Sequence, residues 1–199
     1  MNAFETMRET AVGWLHGREA QNVARKTGAS WLPEEGRFRF TSLGKEMTLS
    51  FPECRFEPEP EAWQELILLH CFARADGTPL LGKDLPLREM AGGMARGAAF
   101  DRKCELTLAR LGLLSESELL RRCERLGGVR IEGKADLCVR FELLPCCPMT
   151  LKLWYAEEDI PASGRLLADA SADHTLSVED AVMLGELILK ELSETAEKR

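Results

Sequence analysis

Leu66 to Phe72 lies inside a predicted helix, Glu61 to Ala75, and is apolar on nearly all sides. A helix of that kind has no face to give to water, so it belongs at the centre of a domain. Pro60 fits the first turn of this helix, where a missing N–H costs nothing, and Asp76-Gly77 ends it. The rest of the chain must therefore supply amphipathic elements that wrap this one.

Those elements are legible from their periods. Phe4 to Lys26 reads as one helix carrying Phe4, Met7, Ala11 and Leu15 at helical spacing, with Gly28 as its stop. Arg37 to Ser42 and Lys45 to Phe51 alternate around Leu43-Gly44 and form a hairpin. Pro52 to Pro60 is a connection. Thr78 to Gly97 is irregular, and helices follow at Ala98 to Leu111 and Glu116 to Leu126, the second capped by Ser115 and stopped by Gly127-Gly128. A second hairpin sets Leu137, Val139, Phe141 and Leu143 on one side, turns at Pro145-Cys146-Cys147-Pro148, and returns through Leu151, Leu153 and Tyr155. Arg165 to Ala168 is a short further strand. Ser177, with Asp180 three residues on, caps a final helix whose apolar face is Val178, Ala181, Val182, Leu184, Ile188 and Leu192. Segregated helices and antiparallel hairpins make the class α+β, hairpins packed against several helices in a single compact domain of 1–199. Within it, 1–57 is an N-terminal helix plus hairpin, 58–190 the main core and 191–199 a frayed tail.

Composition narrows the functional classes. The 199 residues carry a net charge of −7, and 45% are hydrophobic, which describes a globular protein. No apolar run follows the N-terminus as in a secretory signal, and no stretch is long enough to span a bilayer. Seven cysteines, an odd number, then read as reduced thiols in a cytoplasmic protein. Charge is uneven: residues 88–130 hold nine basic and six acidic side chains, residues 155–199 four basic and eleven acidic. The basic helical face Arg121, Arg122 and Arg125 lacks interleaved aromatics, so no nucleic-acid partner is expected.

Familiar catalytic and metal patterns are missing or broken. Gly77 to Asp84 has the glycine and lysine spacing of a phosphate loop, but Asp84 replaces the magnesium-binding Ser or Thr, and a helix precedes it instead of a strand. There is no Cys-x-x-Cys. His70-Cys71 and Cys146-Cys147 are adjacent pairs that diverge on a helix or strand, so a metal site requires separate segments to meet, for instance Cys146 with His174. No metal ligands and no cofactor are nominated. Cys146 and Cys147, flanked by prolines, are redox candidates as a vicinal disulfide. Asp169, Ser171, Asp173 and His174 form the one short segment with Ser, carboxylate and His together; residues this close rarely make a relay, and a capped turn explains them.

Several stretches together resemble the bacterial and archaeal family called domain of unknown function 3786. They are Leu68 to Phe72, Leu87 to Gly93, Leu126 to Gly128, Pro148 to Trp154, Glu157 to Pro161 and Leu167 to Ala172, followed by the closing helix, from about Trp63 onward. The resemblance implies an anaerobic setting and a link to redox or corrinoid metabolism. Some members carry a cysteine-rich iron–sulfur segment that this chain lacks. The family has no agreed activity, so no catalytic residue carries over.

The first expectation is a non-catalytic module for a small molecule or a protein partner, its surface lying where the Gly82 to Gly93 loop meets Trp154 to His174. Arg88 offers a fork for an acid, Gly92 and Gly93 let a ligand approach the backbone, Trp154 offers a stacking face, and Asp169 and His174 line the far side. An enzyme using Asp169, Asp173 and His174 as acid–base groups is one alternative, and predicts a pocket that holds all three. A structural subunit with a large apolar patch is another.

Overall fold

The computed structural model describes residues 3–194. Its central helix is α3 (Ala62–Arg74), in which Leu66, Ile67, Leu68, Leu69, Cys71, Phe72 and Ala73 are all buried. It touches α1 (Ala3–Leu15), α2 (Ala20–Thr27), the C-terminal helix and both sheets. Each large apolar side chain so enclosed contributes about 2 kcal/mol. Pro60 lies just before the helix, whose N-cap is Glu61. The single helix expected over Phe4 to Lys26 is two: the chain turns at Gly17, whose φ of 75° interrupts the spiral, and Gly28 ends α2 in the left-handed region.

Strands β1 (Ser30–Leu32), β2 (Arg37–Ser42), β3 (Lys45–Ser50) and β4 (Phe56–Glu57) form one antiparallel sheet in sequence order. The expected hairpin stands in the register Phe38 opposite Leu49 and Phe40 opposite Met47. Phe38 and Phe40 both lay their rings 5.2 Å from that of Phe72, joining this sheet to α3.

The second sheet has the order β5-β9-β8-β7-β6, from β5 (Asp84–Leu85), β6 (Val129–Arg130), β7 (Leu137–Leu144), β8 (Cys147–Trp154) and β9 (Ser163–Asp169). The β7–β8 turn is shorter than expected, only Pro145 and Cys146; Cys147 already pairs with Leu144, and Pro148 lies within β8. Helix α4 (Arg96–Leu111) buries Phe100, Cys104, Leu108 and Leu111 at helical spacing, packing on β9 and on α6 (Val178–Ser193). Helix α5 (Glu116–Arg125) is capped by Ser115. Ser177 and Asp180 form the full capping box of α6, and its six expected apolar positions are all buried. The expected frayed tail begins later than Glu191, because α6 runs to Ser193 with Leu192 fully buried; residues 195–199 lie outside the described residues.

The two sheets meet where β2 and its turn approach β7. The β2–β3 turn, Leu43-Gly44, presses against the α5 stop, with Leu43 N donating to Glu142 O at 2.8 Å. Gly44 and Gly127 face each other so closely that a Cβ on Gly127 would lie 2.3 Å from Gly44 Cα. The result is a single α+β domain.

Candidate functional site

The glycine-rich loop and the end of β9 do fold against each other, held by carboxylates. Asp169, buried at the end of β9, accepts from Leu81 N, Gly82 N, Ser171 N and Ser171 Oγ at 2.7–2.9 Å. Burial alone would raise its pKa, but the hydrogen bonds from Ser171, Leu81 and Gly82 outweigh it and hold the carboxyl below its ordinary value. Two amides of the stretch spaced like a phosphate loop, those of Leu81 and Gly82, are thus occupied by the chain's own anion. Four residues on, Asp173 accepts Ala91 N with both oxygens, at 3.1 and 3.2 Å. These two aspartates clamp the loop.

The six ligand candidates are dispersed. Arg88 pairs with Asp101 at 3.4 Å and lies 4.0 Å from Glu89, beside a small recess of about 50 Å³. Gly92 takes a φ of 76°, while Gly93 is buried with the backbone of Leu87 and Arg88 directly over it, where a Cβ would lie 2.2 Å from Leu87 O. Gly93 serves tight packing of the loop, and Gly92, which is exposed, serves its left-handed turn. Trp154 is 37% exposed at the opposite end of β8, paired with Ser163. Six residues of β9 separate that end from Asp169, about 20 Å.

His174 alone among the six opens onto a sizeable crevice, of about 390 Å³, lined by Trp14, Arg18, Ala73, Arg74, Asp76, Asp173 and His174. Three separate segments build it: the end of α1 and the turn after it bring Trp14 and Arg18, the end of α3 and the loop after it bring Arg74 and Asp76, and the turn after β9 brings Asp173 and His174. His174 Nδ1 lies 2.8 Å from Asp76 Oδ2. Hydrogen bonds from Thr78 first, then from His174, draw the Asp76 carboxyl down to about 2. The His174 Nε2 atom has no partner among the described residues. Trp14 is 47% exposed, its ring 5.4 Å from that of His70, which is fixed by Asp180 Oδ1 at 2.6 Å. Among the described residues Arg18 donates only Nε, to Trp14 O. Arg74 is exposed, and among the described residues its guanidinium makes no hydrogen bond or ion pair.

The crevice therefore offers two guanidiniums, an imidazole nitrogen and an aromatic face, with both carboxylates already satisfied. Arg18, Arg74, Trp14 and Asp76 are absent from the sequence-based set, because each stands alone in its own segment. Asp76 was visible only as a helix stop.

The family described as Domain of unknown function (DUF3786) matches residues 19–191. The chain belongs to that family. The match includes Arg74, Asp76, Asp173 and His174, while Trp14 and Arg18 precede it. No curated protein and no solved structure matches the chain.

The expected basic face of α5 is partly turned inward: Arg122 is buried, donating to Glu118 and to Leu192 O at 3.0 Å. All seven cysteines are free thiols, and all but Cys146 are buried. Burial raises Cys104 and Cys123 to about 12. Among the described residues no three His, Cys, Asp or Glu side chains are placed to hold a metal ion, and no helix is long and apolar enough to cross a membrane.

Proposed function

We propose that the protein is a non-catalytic binding module, and that the Trp14–Arg74–His174 crevice takes a small molecule with an acidic group and a planar body. The observation that carries this is Arg74. A guanidinium without a partner among the described residues, beside an exposed indole, is the arrangement that recognises a carboxylate or phosphate on a flat ligand. A volume of about 390 Å³ suits such a ligand. Arg18 supplies a second cation and His174 Nε2 a further hydrogen bond. The link to anaerobic redox or corrinoid metabolism comes from the family resemblance, and belongs to this reading as the source of the ligand.

The His174–Asp76 pair favours a second reading, an enzyme in which Asp76 orients His174 as a general base. Native mass spectrometry and absorption spectra of anaerobically prepared protein separate the two. Binding predicts a retained small molecule in wild type, the same chemical species at equal or lower occupancy in His174→Gln, and its loss in Arg74→Ala. A chemically altered molecule in wild type but not in His174→Gln supports the enzyme. Wild type and Arg74→Ala retaining the same molecule equally contradicts the crevice as its site.

A further inference from the structure

Cys71 on α3 is fully buried, and Cys146, 75 positions later in the β7–β8 turn, is partly open to solvent. Their Sγ atoms lie 3.7 Å apart. We propose that this pair is a thiol oxidation site that closes to a Cys71–Cys146 disulfide, stapling the central helix to the tip of the β7–β8 hairpin.

Three features of the pair support it. The two thiols come from different elements and already touch, so closure needs only a small approach of a two-residue turn. The turn has room, because Cys146 borders a void of about 10 Å³, the space of one water. The pair is also polarised. The contact with Cys71 lowers the Cys146 thiol against the opposing effect of burial, while the contacts with Cys146 and then Cys147, followed by burial, raise Cys71. A partly open, more acidic thiol backed by a buried one is the order in which a nucleophile and its resolving partner act.

Cys147 is the worse partner for Cys146. A trans peptide holds neighbouring Cα atoms about 3.8 Å apart, short of the roughly 4.4–6.8 Å that a disulfide spans. Cys147 is also already committed to β8 opposite Leu144.

The oxidant is a hydroperoxide. The Cys146 thiolate attacks its O–O bond, giving the Cys146 sulfenic acid and, after protonation, an alcohol, or water from hydrogen peroxide. Cys71 sulfur then attacks the sulfenic sulfur, the S–O bond breaks, and hydroxide leaves as water with the Cys71 proton. Two thiols lose two electrons and the hydroperoxide gains them.

Hydrogen peroxide treatment of the reduced, folded full-length chain, followed by alkylation and tryptic mapping, tests this. Cys71 falls on the tryptic peptide 56–74, and both Cys146 and Cys147 fall on 141–152. The proposal predicts an intact mass lower by two hydrogens, the two peptides joined, and the link restored to free thiols by dithiothreitol. Cys147→Ala retains the link, and Cys71→Ser replaces it with sulfenic or sulfinic acid on Cys146. A 141–152 peptide lighter by two hydrogens and unlinked, sulfinic acid on Cys146 in the wild type, or unmodified thiols each overturn it.

Discussion

Asp169 shows how one side chain sets the geometry of a long loop. It lies at the end of a strand, yet its carboxylate reaches residues 81 and 82, nearly ninety positions away in sequence. Asp169→Asn puts an amide N–H against a backbone N–H and removes a charged acceptor, costing about 2 kcal/mol. Because the folded carboxyl titrates below its ordinary value, its stabilisation is complete above the unfolded pKa, about 3.9. It is lost as pH falls through the lower folded value. Urea melts of wild type and Asp169→Asn should therefore differ by a constant amount from pH 7 down to about pH 5 and converge below about pH 4. A difference that grows in acid contradicts the clamp. Asp173 shares this work through Ala91, which is why the loop and the segment after β9 stay together without Arg88 spanning them.

At the scale of elements, the two sheets depend on a contact between turns. Gly44 and Gly127 both have positive φ, and each leaves space that the other's backbone fills. Gly127→Ala is expected to destabilise by about 3 kcal/mol or more, read as a lower urea midpoint with an unchanged slope; a shift within about 0.5 kcal/mol would show that the turns separate at little cost. This junction also marks the limit of sequence reading. Both hairpins were legible because alternation fixes which side chains face inward, and α6 was legible because Ser177, Asp180 and six apolar positions agree. The strands of two or three residues, β1, β4, β5 and β6, carry no period long enough to see. The break between α1 and α2 depends on Gly17, whose flanks keep a helical pattern. That Gly127 stops α5 is visible in the sequence; that it meets Gly44 is a long-range fact.

For the whole molecule, the same distinction governs function. The loop and the strand end named from sequence do meet, but their side chains are spent holding the meeting together. The open crevice lies one turn further on, where His174 joins Arg74 and Trp14 from helices that sequence reading used only as core-builders. Nothing local in Arg74 marks it; its significance is that the fold leaves it without a partner among the described residues. The thiol pair follows the same logic, since Cys146 was legible as a candidate and Cys71 as its neighbour was not.

Thermal unfolding against a panel of planar carboxylates and organic phosphates, run on wild type, Arg74→Ala and Arg88→Ala, compares the structural site with the one nominated from sequence. A ligand at roughly one hundred times its Kd adds about 2.7 kcal/mol, a rise in Tm of about 5–10 °C for a chain this long. Binding in the crevice predicts that rise for wild type and Arg88→Ala and its loss in Arg74→Ala; a rise kept by Arg74→Ala and lost in Arg88→Ala contradicts it.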